Sequence, residues 1–254
     1  MDARLIVAAL LWLPLACVAF EHKPWDELLK KHVVVIDGGK ASQLRYAGMA
    51  QQRAALKIYL DSLSGVKEAQ FNTWSKPEQM AFLINAYNAF TVEKILTRYP
   101  DIKSIWDFGR IFGDPFKDEF FVLLGGKRSL NWIEHETLRK IYGDPRIHYA
   151  VNCASVGCPM LREEAYVAAR LEAQLDEQAR RFLSDRSRNR LREGRLELSK
   201  IFVWFKEDFE PRSKYFAGYA QVLGDDARQR EAVRSEQLPL RFLDYDWSLN
   251  DAKK

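Results

Sequence analysis

Asp144-Pro-Arg-Ile-His-Tyr-Ala-Val-Asn-Cys-Ala-Ser-Val-Gly-Cys-Pro-Met-Leu161 is the stretch whose reading decides the fold. Asp144-Pro145 is a turn signal, because the proline ring fixes φ and pushes the preceding residue away from helix. From Arg146 to Asn152 apolar and polar residues alternate, which predicts a strand. Ile147, Tyr149 and Val151 would share one face, and Arg146, His148, Ala150 and Asn152 the other. A small-residue loop holding Cys153, Ser155, Gly157 and Cys158 follows, closed by Pro159. Two of the four histidines, His135 and His148, and two of the three cysteines lie in or just before this region.

Upstream, Ser75 followed by Glu78 is a capping-box pattern and opens a helix to about Arg98. Its middle, Phe82-Leu-Ile-Asn-Ala-Tyr-Asn-Ala-Phe-Thr-Val92, is apolar nearly all round, so the helix should be buried. Asn85 and Asn88 share one face of it. A buried amide must be paired, either with nearby loop backbone or as part of a pocket wall. Glu119–Leu124 and Lys127–Leu130 read as a hairpin around Gly125-Gly126. Asn131 then caps a helix ending at Gly143, with Glu134 at the capping-box position and His135 beside it.

Nearer the N-terminus, Pro24–Lys31 predicts a short helix, Val33–Ile36 a strand ended by Asp37-Gly38-Gly39, and Leu44–Leu63 a longer helix. Beyond Pro159, Arg162–Leu183 predicts an amphipathic helix with a Leu171, Leu175, Ala179, Phe182 core stripe. Arg180–Arg195 carries seven arginines against two acids and reads as a solvated, flexible connection. Leu196–Leu198 is a short strand, Ser199 caps the Ile201–Phe205 turn, and Leu240–Leu249 is an alternating aromatic strand. Helices and strands mix without a βαβ repeat. The expectation is α+β: a buried central helix packed on a mostly antiparallel sheet, flanked by further helices.

The chain has 254 residues, 47% hydrophobic and 13% aromatic, with a net charge of +4. That composition describes a folded globular protein, and its mild charge argues against nucleic-acid binding. Arg4, the apolar Leu5–Leu15 core and Ala16-Cys17-Val18-Ala19 predict a signal peptide over residues 1–19, cleaved near Ala19. Lipidation at Cys17 is the rival reading. The apolar run is too short to span a bilayer, so no transmembrane span is expected in the mature chain. Residues 20–254 would be one globular domain, periplasmic or extracellular, in an oxidising compartment.

Phe82–Val92, Trp132-Ile-Glu-His135, Asp144–Pro159 and Leu198-Ser-Lys-Ile-Phe-Val-Trp-Phe-Lys-Glu-Asp-Phe209 together resemble the domain of unknown function family 547. The match is strongest over 78–209, and Tyr245-Asp-Trp-Ser-Leu-Asn250 is similar to the family's C-terminal strand. The resemblance implies an exported bacterial single-domain protein and carries no activity or catalytic set.

The residues therefore have to supply the functional reading. Cys153 and Cys158 admit four states. One is a disulfide, and another is an activated thiol at Cys153. The third is a zinc site, whose spacing matches no common ligand pattern, and the fourth is a pair of packed thiols. As a thiol hydrolase or acyl transferase acting on amide or ester bonds of the envelope, the protein would use Cys153 as nucleophile. His148 or His135 would be the base, and Asn152 its orienting partner. Asn85, Asn88, Ser155 and Glu134 would contact substrate. No metal or cofactor is called for. The alternative is a binding module with a structural disulfide, for a small-molecule, peptide or glycan ligand. Its groove would draw on Trp74, Trp106, Trp132, Trp204 and Tyr215.

Overall fold

The computed structural model describes residues 20–109 and 113–252. The expected signal peptide, its cleavage point at Ala19 and Cys17 lie outside the described residues. The fold is α+β, with helices predominating and three small separate sheets.

The N-terminal half is built around one helix. Helix α1 (Lys23–His32) buries Trp25, Leu28, Leu29 and His32 along one stripe. It leads into a hairpin, β1 (Val33–Ile36) and β2 (Ala41–Leu44), paired from Val33↔Leu44 to Ile36↔Ala41. Helices α2 (Tyr46–Gln51), α3 (Arg53–Gly65) and α4 (Glu68–Phe71) follow, so the expected Leu44–Leu63 helix begins later and breaks at Gln52. Helix α5 (Lys76–Leu96) starts at the anticipated capping box: Ser75 Oγ accepts from Glu78 N–H, and the Glu78 carboxylate accepts from Ser75 N–H at 2.8 Å. Every residue from Met80 to Leu96 is buried, so α5 is the axle of the larger core.

The hairpin β3 (Phe121–Leu123) and β4 (Gly126–Arg128) turns one residue earlier than expected, at Leu124-Gly125. Both turn residues have positive φ, 52° and 80°, as a tight primed turn requires. The next helix, Trp132–Tyr142, is a π-helix, and Thr137 Oγ1 bonds back to Trp132 O at 3.0 Å. Asn131 does not cap it. Asn131 already has helical backbone angles, and Ser129 Oγ accepts from Trp132 N–H instead, at 3.1 Å. Glu134 is thereby released from the capping role.

The predicted Arg146–Asn152 strand is a turn of helix, α6 (Ile147–Ala150). Asp144 Oδ1 accepts from Arg146 N–H at 2.9 Å, and Asp144 O accepts from Ile147 N–H at 3.2 Å, which nucleates it. The alternation misled because this segment has no solvent face: Ile147, His148, Tyr149 and Ala150 are all buried. Ile147 and Ala150 join the larger core, while Tyr149 points into a second one.

That second core is C-terminal. The chain from Pro159 to Val167 is non-helical, so the predicted Arg162–Leu183 helix reduces to α7 (Leu171–Leu183), which buries the expected stripe. The arginine-rich connection is ordered rather than loose. It forms β5 (Arg190–Arg192), hydrogen-bonded to β6 (Arg195–Leu198), with Arg188 and Arg190 paired to Asp185 and Glu197. Helices α8 (Ile201–Trp204), α9 (Arg212–Gly218), α10 (Ala220–Leu223) and α11 (Ala227–Arg234) surround Phe182, Phe202, Phe209 and Phe216. The last strand, β7 (Leu240–Phe242), is short and pairs parallel to β6. The single, mostly antiparallel sheet expected from the sequence does not form: residues 147–150 are helical, the β3–β4 hairpin pairs only with itself, and β7 pairs with β6. Residues 243–252 continue as an extended strap, which bonds to the Cys153–Cys158 loop and to β2.

Candidate functional site

A cleft of about 510 Å³ opens at the seam between the two cores. Its floor carries Tyr87 from α5, Glu134 and His135 from the π-helix, and His148 from α6. Its walls are aromatic: Trp106, Phe116, Trp204, Phe205, Tyr245 and Trp247. Trp204 and Trp247 stack at 5.4 Å, and Trp106 meets Trp247 edge-on at 5.4 Å. Tyr245 and Trp247 are half-buried because they face this opening. Cys153 and Cys158 line one side.

His148 is held from two directions. Its Nε2 lies 2.6 Å from Asp208 Oδ2, and the Phe205 ring stacks on the imidazole at 3.9 Å. Asp208 is also gripped by the Arg139 guanidinium, which donates to both carboxylate oxygens, at 2.5 and 2.8 Å. Arg139 Nη1 lies 2.9 Å from His135 Nδ1, completing a chain from one histidine to the other. On its other side, His148 Nδ1 is 3.5 Å from Glu134 Oε1, an ion-pair distance without hydrogen-bond geometry.

Burial opposes charge throughout this floor, and pairing outweighs it. His148 sits above its ordinary pKa despite burial, because Asp208 and Glu134 favour the imidazolium. Glu134 is held below the usual carboxylate range against burial, by His148 first and then His135 and Tyr87. Asp208 is likewise held well down against burial, by His148 and Arg139. His135 goes the other way: burial lowers it, and Arg139 and His148 add to the effect against Glu134 and Asp208. Pairing therefore favours the charged forms of His148, Glu134 and Asp208, while burial favours the neutral form of His135.

The cysteine loop is organised separately. The Cys153 and Cys158 sulfurs are within disulfide-bonding distance, with Cα atoms 6.1 Å apart. Cys153 Sγ also lies 3.0 Å from Ser155 Oγ and 3.1 Å from Tyr245 OH. Neither histidine is among these partners, so no thiol–imidazole pair is assembled among the described residues. Asn152 does not orient a histidine: its side chain donates to Pro159 O at 2.8 Å and accepts from Ala154 N–H at 3.0 Å. The left-handed backbone of Ala154, φ 61°, makes the sharp corner after Cys153. Asn85 and Asn88 lie outside the cleft lining. Asn85 brackets Tyr166, donating to its carbonyl at 2.8 Å and accepting from its N–H at 3.0 Å. Asn88 donates to Ala150 O at 2.9 Å and accepts from Asn152 N–H at 2.8 Å, which fixes α6 and with it His148.

Of the residues singled out in the sequence, the fold brings Glu134, His135, His148 and Cys153 to one cleft, with Ser155 touching Cys153 from behind. Of the five aromatic candidates, Trp106 and Trp204 line it. Trp74 is in the core, Trp132 carries Arg128 on its face, and Tyr215 bonds Tyr149. Sequence reasoning missed Asp208, Arg139, Phe205 and Tyr87. All four lie inside or beside the quoted motifs, but only tertiary contact gives them a role. Among the described residues no cluster of three His, Cys, Asp or Glu is placed to hold a metal ion, and no helix is long and apolar enough to cross a membrane.

Residues 71–183 match the model of a family described as a protein of unknown function, DUF547. The matched segment contains α5, the π-helix, α6 and the cysteine loop, and ends before Asp208 and Tyr245. No curated protein and no solved structure matches the chain.

Proposed function

Starting from a chain that carries a DUF547 domain, a domain of unknown function, we propose that it is a binding domain of the cell envelope. Its cleft takes a ligand between the aromatic walls and the charged floor. The observation that carries this reading is the cleft itself, an apolar-walled opening with a few convergent polar groups and a volume within the usual range for ligand sites. The cysteine pair supports it, since a sulfur bonded to its neighbour is a wall and not a resting nucleophile. The apolar Leu5–Leu15 run supports export to an oxidising compartment, where such a pair stays oxidised.

A second reading is favoured by one observation: Cys153 shares the cleft with His135 and His148. If the pair is reduced in the native compartment, Cys153 is available for attack on an amide or ester carbonyl, with a histidine accepting its proton and later passing it to the leaving group. One experiment separates the two. Protein taken from its native compartment is alkylated at neutral pH without reductant. Unmodified Cys153 and Cys158 are expected. Rapid alkylation of Cys153 that slows in His148→Ala or His135→Ala would transfer the case to the hydrolase.

A further inference from the structure

The floor of the cleft contains one unanswered polar atom. His148 is only 3% exposed, and its ring cannot rotate to find a partner, because Asp208 fixes Nε2 and Phe205 covers one face. Its Nδ1 has no hydrogen-bond partner in good geometry among the described residues, only the Glu134 carboxylate at ion-pair distance. A buried polar atom left so is unfavourable, so a group entering the cleft that satisfies it gains that interaction in full. Beside it, 3.5 Å away, lies Glu134 Oε1.

These two atoms make opposite demands. A protonated imidazole nitrogen needs an acceptor, and an ionised carboxylate needs a donor. The burial of both is opposed by their mutual pairing, which raises His148 and lowers Glu134, each towards its charged form. A carboxylate or phosphate accepts from the imidazole but cannot donate to Glu134. An ammonium or guanidinium donates but cannot accept. A hydroxyl oxygen does both with one atom. Each charge at the cleft has an opposite partner: His148 faces Glu134, Asp208 behind His148 is held by Arg139, and Asp114, which also lines the cleft, lies 3.7 Å from Lys117, so the pull on a charged ligand is offset. Above it stand indole rings, with Trp106 and Trp204 exposed at 38% and 45%.

We propose that the cleft binds a neutral carbohydrate, one hydroxyl seated between Glu134 and His148 Nδ1 and the ring faces laid on Trp204, Trp247 and Trp106. The hydroxyl donates to the carboxylate and accepts from the imidazole. The apolar C–H faces of the sugar displace water from the indoles. This assignment deepens the reading of the cleft as a binding site and rests on it.

Intrinsic tryptophan fluorescence of the full chain tests it, with three probe classes. These are neutral oligomers of N-acetylglucosamine and of glucose, oligolysine, and polygalacturonate. A saturable change is expected with a neutral oligosaccharide alone. Glu134→Gln should weaken that binding roughly 10- to 100-fold, the value of a hydrogen bond to a charged group. If near-UV circular dichroism shows Glu134→Gln misfolded, Trp204→Ala, at an exposed wall, replaces it and should also weaken binding. Neutral sugars binding equally to wild type and variant would overturn the seat. A response to oligolysine or polygalacturonate alone would overturn the neutral-carbohydrate assignment while the cleft reading stands. No response to any class would overturn both.

Discussion

His22 shows how one side chain sets an acid limit on the fold. It is buried, its Nδ1 lies 2.8 Å from the Tyr59 hydroxyl, and burial lowers its pKa to about 4. In the unfolded chain it would titrate near 6.5. Between those values the unfolded state takes up a proton that the folded state refuses, so stability falls as pH falls through the window. His148 has the opposite sign. Its raised pKa gives stability that is complete below about 6.5 and is lost as pH rises through the folded value, so it adds little slope in the His22 window. His22→Asn is expected to remove most of the loss between pH 6.5 and 4, at most about 3 kcal/mol. Urea melts at pH 7, 5.5 and 4 measure it, and parallel slopes in the two proteins would refute it. At this scale the sequence is informative about need but not about partner. Asn85 and Asn88 in an all-apolar helix announce buried amides that must be paired, and both are. That the partners are the backbones of residues 150, 152 and 166 is a fact of chain return. Asp208 was illegible for the same reason, since nothing local ties it to His148 sixty residues earlier.

Among the elements, the start of the π-helix gives the clearest test. Ser129 holds the Trp132 N–H, while Asn131 reaches only Glu136, at 3.4 Å. Ser129→Ala should therefore lower stability by about 1 kcal/mol, the usual value of a helix-capping side chain. Asn131→Ala should change it by no more than a few tenths. Paired thermal melts decide, and the reverse ranking would restore Asn131 as the cap. Elements with one apolar face were legible: α1 and the α7 stripe follow their periodicity, while β1 was read from its β-branched run and α5 from its capping box and unbroken apolar middle, and β2 was not read at all. Where a segment is buried on every side, periodicity has no physical basis. That is why residues 147–150 form a helix although their polarity alternates. Residues 244–249 alternate too, yet their backbone bonds go to loops rather than to a sheet, so the aromatic pattern marks a cleft wall instead of a strand.

For the molecule as a whole, the strap is what closes the cleft. Gly157 N–H donates to Asp246 O at 2.8 Å, and Val156 N–H to Ser248 O at 2.9 Å. Beyond them, Asn250 O accepts from Leu44 N–H at 2.9 Å, and Asn250 N–H donates to Ala154 O at 3.2 Å. The approach at Gly157 is too close for a side chain. A Cβ there would lie 3.0 Å from Asp246 N and O and 3.1 Å from the Tyr245 ring. Gly157→Ala should displace the strap, destabilise the protein by about 1–3 kcal/mol as overpacking does, and expose the C-terminal segment to protease. Limited proteolysis followed by mass spectrometry reads this directly, and a wild-type cleavage pattern would contradict it. The cleft's general position, near the cysteine loop and the 132–135 motif, was legible. Of its walls only Trp106 and Trp204 were anticipated, because the walls arrive from both cores.

The strap also imposes an order of events in time. Tyr245 and Trp247, which wall the cleft, and Asn250, which ties β2 to the cysteine loop, are synthesised after every other element that lines it. While the ribosome still covers them, α5 and the hairpins are free to collapse, but the opening has no outer wall. A nascent chain therefore passes through a stage that is largely folded and unable to hold a ligand. Binding competence arrives only once residues 243–252 have emerged and docked, so a chain stalled or cut before Tyr245 would be compact and functionally silent.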